Sequence, residues 1–427
     1  MRVKRFEWEG AAGTTRETRL WTFETWPQAD VSEIEQAFRR SDDRDAALLE
    51  LTARFDAADP PLKSLSVEAA ERDDALSRID RDLRESLEFA AANIQRVAEA
   101  QLVTEPTRVE LPQGQVVSIR EVPLGAAGIY APGGRAAYPS SVLMCAIPAK
   151  VAGVERVVLA TPPGVNGMVN PAVLAAAALC GVDEVYAMGG AQAIFALAYG
   201  TKTIPRVDAV AGPGNAWVRE AKASVASIVA IDSLAGPSEL MVVLDGNANP
   251  QWAALDLCAQ AEHGADAVLV AVSADERILE AVGEETKRAA ASRSGVADAP
   301  LALVHAPDLV EAIEFVNLFS PEHLQLLVED PVPLAERVTT AGCVFAGPRS
   351  ATAFGDYAAG SNHVLPTSGA GRFSGPLGPG IFRRKIATVE VTAEAAAKLA
   401  PHVDRIARAE GFPVHGESAM IRVEKGT

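Results

Sequence analysis

Side chains able to do acid–base or metal chemistry gather in four stretches of this sequence. Gln260 and His263 fall in Asp256-Leu-Cys-Ala-Gln-Ala-Glu-His-Gly264, a helical segment fed by Trp252, Leu255 and Leu257 and stopped at Gly264. Three residues apart, they project from one helix face, and an amide oxygen beside an imidazole nitrogen makes half of a divalent metal site. The plain alternative is a helix end with His263 placed favourably near its own terminal carbonyls. In Ser320-Pro-Glu-His-Leu324 the Glu322 carboxylate adjoins the His323 imidazole, and such a pair suits two proton transfers near neutral pH. A helix start would account for Ser320, Pro321 and Glu322, but it gives His323 no reason. Gly355 to Thr367 is polar and glycine-punctuated, with Asp356 and His363 available; a metal ligand and a turn-forming Asp are both consistent with it. Glu410 and His415 lie close to the C-terminus, on a solvated tail or within reach of a dimer partner. Only His305 and His402 among the six histidines stand outside these stretches.

The elements that must position these groups follow from hydrophobic rhythm. Residues 1 to about 26 have weak periodicity and read as an arm. Val31 to Phe55 and Ser66 to Leu102 carry helical patterns, so the first hundred residues are mostly helix. Gln115–Val122 alternates as a strand, and Gly128–Tyr130 reads as a short apolar edge ending in a Pro-Gly-Gly turn. From there strand-like runs (157–160, 184–188, 207–211, then 240–244, 267–271, 301–304, 343–345) alternate with helical ones (171–180, 192–199, 277–291). That is the rhythm of stacked βαβ units and parallel sheets, and it predicts two α/β sheets separated near residues 130 and 237. Ser368–Gly380 is glycine-rich and reads as a flexible connection. Beyond it Thr392 can cap a helix to Ala400, and Pro401 to Glu410 reads as another. No repeat of fixed period is visible.

The totals narrow the function classes. A chain of 427 residues has room for two to four domains, and 48% hydrophobic with 22% charged residues is ordinary for a soluble globular protein. A formal charge of −17 speaks against nucleic acid or an anionic membrane as partner. Cys145, Cys180, Cys258 and Cys343 lie far apart with no Cys-x-x-Cys pair, which fits a reducing compartment and small buried side chains. No apolar run reaches membrane-spanning length, and acid appears too early in the N-terminal segment for a signal peptide. The expected location is the cytoplasm. No Gly-x-Gly-x-x-Gly occurs; Pro132-Gly-Gly, Gly212-Pro-Gly-Asn and Ala235-Gly-Pro-Ser-Glu239 are turns consistent with a ligand near strand ends. The residues by themselves lead to a metal-dependent α/β enzyme.

Eight of these stretches, in order, resemble the L-histidinol dehydrogenase family. They are Tyr-Ala-Pro-Gly-Gly-Arg-Ala-Ala-Tyr-Pro-Ser-Ser-Val-Leu-Met (130–144), Gly-Gly-Ala-Gln-Ala (189–193), Gly-Pro-Gly-Asn (212–215), Ala-Gly-Pro-Ser-Glu (235–239), Gln-Ala-Glu-His-Gly (260–264), Pro-Glu-His-Leu (321–324), Gly-Asp-Tyr-Ala (355–358) and Asn-His-Val-Leu-Pro-Thr (362–367). The resemblance runs from about Ala47 to Arg422. It implies a zinc ion per subunit on Gln260, His263, Asp356 and His415, orienting substrate rather than generating hydroxide. It implies His323 as general base toward the alcohol and Glu322 as the residue that activates water onto the aldehyde. Ser238, His363 and Glu410 would contact substrate, and Tyr130, Gln192 and Asn215 would contact NAD. The family's C-terminal segment reaches into a partner's site, so Glu410 and His415 would act across a homodimer. Two NAD per turnover would take L-histidinol through its aldehyde to L-histidine.

The implied fold is two Rossmann-like parallel-sheet domains with an N-terminal helical region and a small C-terminal helical extension. The expected division is an arm over 1–26, a discontinuous catalytic domain over 27–129 plus 238–377, a nucleotide-side domain over 130–237, and the extension over 378–427. Two segments depart from the family pattern: 226–235 lacks a glycine before Ile231-Asp232, and 373–382 carries Gly and Pro at a usual helix start. Two other readings stay open, a paralogue oxidising another primary alcohol such as a sulfopropanediol, and a zinc hydrolase in which Glu322 activates water without NAD.

Overall fold

Valine-, leucine- and alanine-rich runs bounded by helical segments fold here into two six-stranded sheets, because strands buried on both faces need helices to cover them. The computed structural model of the chain describes residues 1–24, 28–56, 58, 61–133 and 136–423. Gly134 and Arg135 of the 130–144 stretch, Thr25 and Trp26 of the expected arm, and the final four residues of the expected extension lie outside the described residues. So do Ala57, Asp59 and Pro60 at the close of the 31–55 pattern.

The strands are numbered in chain order. The first sheet contains β1 (Arg2–Phe6), β10 (Glu239–Leu244), β11 (Val268–Ser273), β12 (Pro300–His305), β13 (His323–Leu327) and β14 (Cys343–Ala346). Its order is β1-β12-β11-β10-β13-β14, and every pairing is parallel. The second contains β2 (Ser66–Val67), β5 (Ala126–Tyr130), β6 (Arg156–Thr161), β7 (Glu184–Ala187), β8 (Ala209–Ala211) and β9 (Ala230–Ile231), in the order β2-β7-β6-β5-β8-β9. Only β2 runs antiparallel there. From β12 to β14 and from β7 to β9 the two sheets share one winding: the strand earliest in sequence lies at the centre and the chain steps outward on either side of it. The two halves are thus topological copies, which no sequence period announces.

The chain falls into two units, one of residues 1–101 and 124–382 and one of 102–123 and 383–427. Both parallel sheets belong to the first. The second unit pairs β3 (Thr107–Glu110), β4 (Val116–Pro123) and β15 (Arg383–Glu390) as an antiparallel sheet and adds the helices Ala393–Ala409 and Pro413–Met420.

Several expectations need correction. Arg2–Phe6, read as an arm, is an edge strand, and Gly10–Thr22 is a helix with buried threonines that packs against β12 and the helix Leu309–Phe319. The 31–55 pattern is two helices, Ser32–Arg40 and Arg44–Phe55, and 66–102 holds β2 and two helices, Ala69–Arg78 and Arg81–Ala100. Asp43 and Asp80 cap the second member of each pair, which explains the breaks. The 128–130 run is a fully buried central strand instead of an edge. The strand at 115–122 belongs to the antiparallel sheet, so the C-terminal extension is not purely helical. The two helices expected between Thr392 and Glu410 are one, Ala393–Ala409, capped by Thr392 and with Pro401 inside it. Ser368–Gly380, expected as a flexible link, contains short helical turns at Ala370–Arg372 and Pro379–Phe382.

Candidate active site

The first sheet gathers the predicted acid–base residues at the amino ends of two adjacent inner strands, β10 and β13. Glu239 opens β10 and His323 opens β13, and the register pairs Leu240 with His323. The chain reaches β13 from the helix Leu309–Phe319, which ends at Ser320 in a left-handed conformation (φ 55°). The Ser320-Pro-Glu-His segment is therefore a turn into a strand and not a helix start. Gly342 lies against that turn, where a Cβ would stand 2.6 Å from the Glu322 carbonyl oxygen.

A continuous chain of polar contacts runs through the cluster. Ser238 Oγ donates to Glu322 Oε2 at 2.9 Å, and the backbone N–H of Glu239 donates to the same oxygen at 2.8 Å. The amide of Gln260, buried at the end of the helix Pro250–Ala261, donates to Ser238 Oγ. His323 is buried; its Nδ1 donates to the Glu239 carbonyl at 2.9 Å, and its Nε2 lies 3.4 Å from Asp356 Oδ1. Since a carbonyl can only accept, that bond leaves Nε2 of the neutral ring with the lone pair, and no hydrogen-bond partner among the described residues satisfies it. Burial alone would lower the His323 pKa, but the Glu322 and Asp356 carboxylates beside it raise it well above the ordinary histidine value. Burial pushes the Asp356 carboxyl up, yet the His323 imidazole, with His363 and His263 further off, holds it below its ordinary value.

His363 joins the cluster from the 361–367 loop. Its Nδ1 donates to the Asp356 carbonyl at 2.8 Å, Nε2 faces Ser141 Oγ at 3.3 Å, and burial lowers its pKa. Asn362 donates to the Met144 carbonyl, which ties that loop to the helix Pro139–Val151. His263 does not share the helix of Gln260 as expected, for the helix ends at Ala261 and His263 lies exposed in the following turn.

Tyr130, Gln192 and Asn215 converge elsewhere in the same unit, on a cleft of about 440 Å³ at the carboxyl ends of the second sheet's strands. Tyr130 closes β5, Gln192 lies in the first turn of the helix Gly190–Tyr199, and Asn215 caps the helix Ala216–Val225 through its side-chain oxygen. Gly212 holds φ at +124°, and a Cβ there would collide with the Tyr130 carbonyl. A buried ion pair braces this turn: Lys222 Nζ donates to the Gly212 carbonyl at 3.0 Å and pairs with Asp232, whose Oδ2 accepts from the Gly212 N–H at 2.8 Å.

Three residues that the sequence reading did not single out take part. Asp56 lines the cleft and accepts from the Gly189 N–H and from Gln192, with its pKa raised by burial. Ser141 faces His363, and its place in the 130–144 stretch was its only signal. Glu239 binds both Glu322 and His323; its signal was adjacency to Ser238.

Glu410 and His415 lie in the second unit. They are exposed and line an open apolar recess of about 560 Å³ with Val403, Ile406 and Phe412. Among the described residues no group of three or more His, Cys, Asp or Glu side chains is placed to hold a metal ion. The donor types Gln260, His263 and Asp356 do fit one: an amide oxygen, an imidazole and an ionised carboxylate make a mixed N/O set with positions to spare. Helices ending at Ala261 and Phe319 direct their negative ends toward the same region, which favours a cation there.

Comparison with known proteins places this arrangement. The family model described as histidinol dehydrogenase matches residues 23–423. The histidinol dehydrogenase of Synechococcus sp. is 45% identical over 402 residues, covering 92% of each chain. That of Haloarcula marismortui is 46% identical over 388 residues, covering 89% of this chain and 90% of its own. The crystal structure of histidinol dehydrogenase from Elizabethkingia anophelis matches with a TM-score of 0.89 at 32% identity, over 99% of this chain and 98% of that one.

Proposed function

Since the chain belongs to the histidinol dehydrogenase family, we propose that it oxidises L-histidinol through L-histidinaldehyde to L-histidine with two NAD, one zinc ion per subunit and active sites shared across a homodimer in the cytoplasm. It is an NAD-dependent oxidoreductase acting on alcohol and aldehyde. The observation that carries the finer reading is the unbroken contact chain Gln260–Ser238–Glu322–His323–Asp356, with a separate cleft containing Tyr130, Gln192 and Asn215.

Gln260, His263, Asp356 and the partner-reaching His415 would hold the zinc ion, whose chemistry is to anchor the substrate's imidazole and amino nitrogens as a Lewis acid. His323 takes the alcohol proton on Nε2, and the carboxylates of Glu322 and Asp356 stabilise the imidazolium that results. For the second oxidation Glu322 draws a proton from water as it adds to the aldehyde. Ser238 and the Glu239 N–H fix Oε2, so Oε1 is the oxygen assigned to that proton. Ser238, His363 and Glu410 would contact substrate. Retaining the aldehyde in a water-poor site protects it between the two oxidations. Exposed Val414, Ile421 and Phe412 around Glu410 and His415 suit a surface that is covered by a second copy.

Following absorbance to completion with limiting L-histidinol tests the reaction: two NADH per alcohol, lost on chelation, is the expected result. No NADH from L-histidinol by metal-loaded protein would send the substrate to another primary alcohol, or the chemistry to hydrolysis. Mixing inactive His323→Ala and His415→Ala chains tests the shared site. Mixed dimers contain one intact site of two, so activity returns to about a quarter of wild type; no recovery would place His415 within its own subunit's site.

A further inference from the structure

We propose that Glu239 is a positioning residue for this reaction, its two carboxyl oxygens working with Arg19 to clamp the two turns that present Glu322 and His323. The proposal rests on the reading that those two residues are the reacting groups. Glu239 is 1% exposed. Its Oε2 accepts from the Glu322 backbone N–H at 3.2 Å and its Oε1 from the Ser368 N–H at 2.6 Å. These bonds are not part of the β10–β13 ladder, which begins with Leu240 opposite His323. They link the start of β10 to the 320–322 turn and to the turn at Thr367–Ser368.

Arg19 closes on the same two segments through their carbonyls. From the helix Gly10–Thr22 its Nη1 donates to Phe319 O at 2.7 Å and its Nη2 to Ser368 O at 3.1 Å, with the guanidinium 5.2 Å from the Phe319 ring centre. Acceptor and donor thus divide the work. The carboxyl oxygens of Glu239 satisfy the buried N–H groups of Glu322 and Ser368, and the Arg19 guanidinium satisfies the carbonyls of Phe319 and Ser368.

Stability alone gives no reason for the acid. Burying a carboxylate beside a second carboxylate is costly, and an apolar side chain is the usual first residue of a buried parallel strand. What the acid supplies is direction: with residues 322 and 368 held by its two oxygens, its own N–H meets Glu322 Oε2 and its own carbonyl meets His323 Nδ1. One residue therefore sets the Glu322 backbone, the Glu322 carboxylate and the imidazole tautomer.

The test uses the full-length, metal-loaded dimer. Wild type must first oxidise L-histidinol; if it does not, the functional reading fails and not this one. Glu239→Gln, Glu239→Asp and Arg19→Met are then compared for kcat, KM for each substrate, NADH formed per alcohol, and the pH profile of kcat. The expected result is a kcat lower by about thirtyfold or more in Glu239→Gln, an unchanged KM for NAD, a displaced pH profile, and fewer than two NADH per alcohol as aldehyde escapes. Arg19→Met should lower kcat in the same sense, and the double variant should lose less than the product of the single losses. If Glu239→Gln does not fold, Glu239→Asp, which keeps the carboxyl group but cannot span both N–H groups, carries the same expectation. Folded variants with wild-type kcat, stoichiometry and pH profile, altered only in melting temperature, would overturn the proposal.

Discussion

The two parallel sheets share one winding and yet present their working residues at opposite ends. In the second sheet Tyr130, Gln192 and Asn215 follow the carboxyl ends of β5, β7 and β8, around the point where the chain reverses direction across the sheet. In the first, Ser238, Glu239, Glu322 and His323 stand at the amino ends of β10 and β13. Helix polarity turns this into a chemical difference. Helices begin at the carboxyl ends of the second sheet, at Gly190 and Ala216, and their positive ends suit a pyrophosphate. Helices finish at the amino ends of the first, at Ala261 and Phe319, and their negative ends suit a cation. The same topology used from either end offers either an anion site or a cation site, and the proposed dinucleotide and metal fall accordingly.

Loss of His323 should break the comparison most sharply. His323→Ala is expected to lower kcat by about 10²–10⁴-fold while KM for NAD stays within about twofold, measured by initial rates. A large rise in KM for NAD would mean that the two ends are not separate in function. Next in size is the buried Lys222–Asp232 pair beneath the Gly212 turn. Lys222→Ala leaves Asp232 buried without its cation and should cost about 3–5 kcal/mol in denaturant unfolding. A loss below about 1 kcal/mol would remove the pair as the brace of Gly212.

A pH effect is expected at the first sheet. Burial, with the Glu322 charge adding to it, pushes the Glu239 carboxyl up to about 8 from an ordinary value of 4.5, against the opposing pull of Arg19, itself beside Arg372. A pKa raised on folding means that the protonated carboxyl contributes stability fully below the unfolded value and that this is lost as pH rises through the folded value. Wild-type stability should therefore fall between about pH 5 and 8, by at most about 1.4 kcal/mol per pH unit, and Glu239→Gln should flatten that slope. Equal slopes for wild type and Glu239→Gln in melting curves across this range would refute the assignment to Glu239. The smallest effect is expected in the cleft. Gln192→Ala removes one polar contact and should raise KM for NAD by up to about tenfold with kcat nearly unchanged.

Much of this was legible in the chain. The alternation of strand and helix from 157 onward located β6, β7, β8, β10, β11, β12 and β14 within a residue or two, because buried parallel strands are short continuous apolar runs. The short motifs contain Ser238, Gln260, Glu322, His323, Asp356 and His363. Less legible were β1, whose Arg2-Val-Lys-Arg-Phe lacks an apolar run because it lies at a sheet edge, and β13, hidden behind a Pro that reads as a helix start. Asp56 and Arg19 carry no local signal, since each acts on segments far along the chain.

The sequence by itself determined which chemical groups are available and that a parallel-sheet scaffold would hold them, because residue types and hydrophobic periods are local properties. Only tertiary structure decided that Glu322 and His323 gather at amino ends and that Tyr130, Gln192 and Asn215 gather at carboxyl ends. It also decided that a buried Glu239 and an N-terminal Arg19 close over the same two turns. Those outcomes depend on sheet register and on where helices start and stop in space, and neither quantity is written in the spacing of residues along the chain.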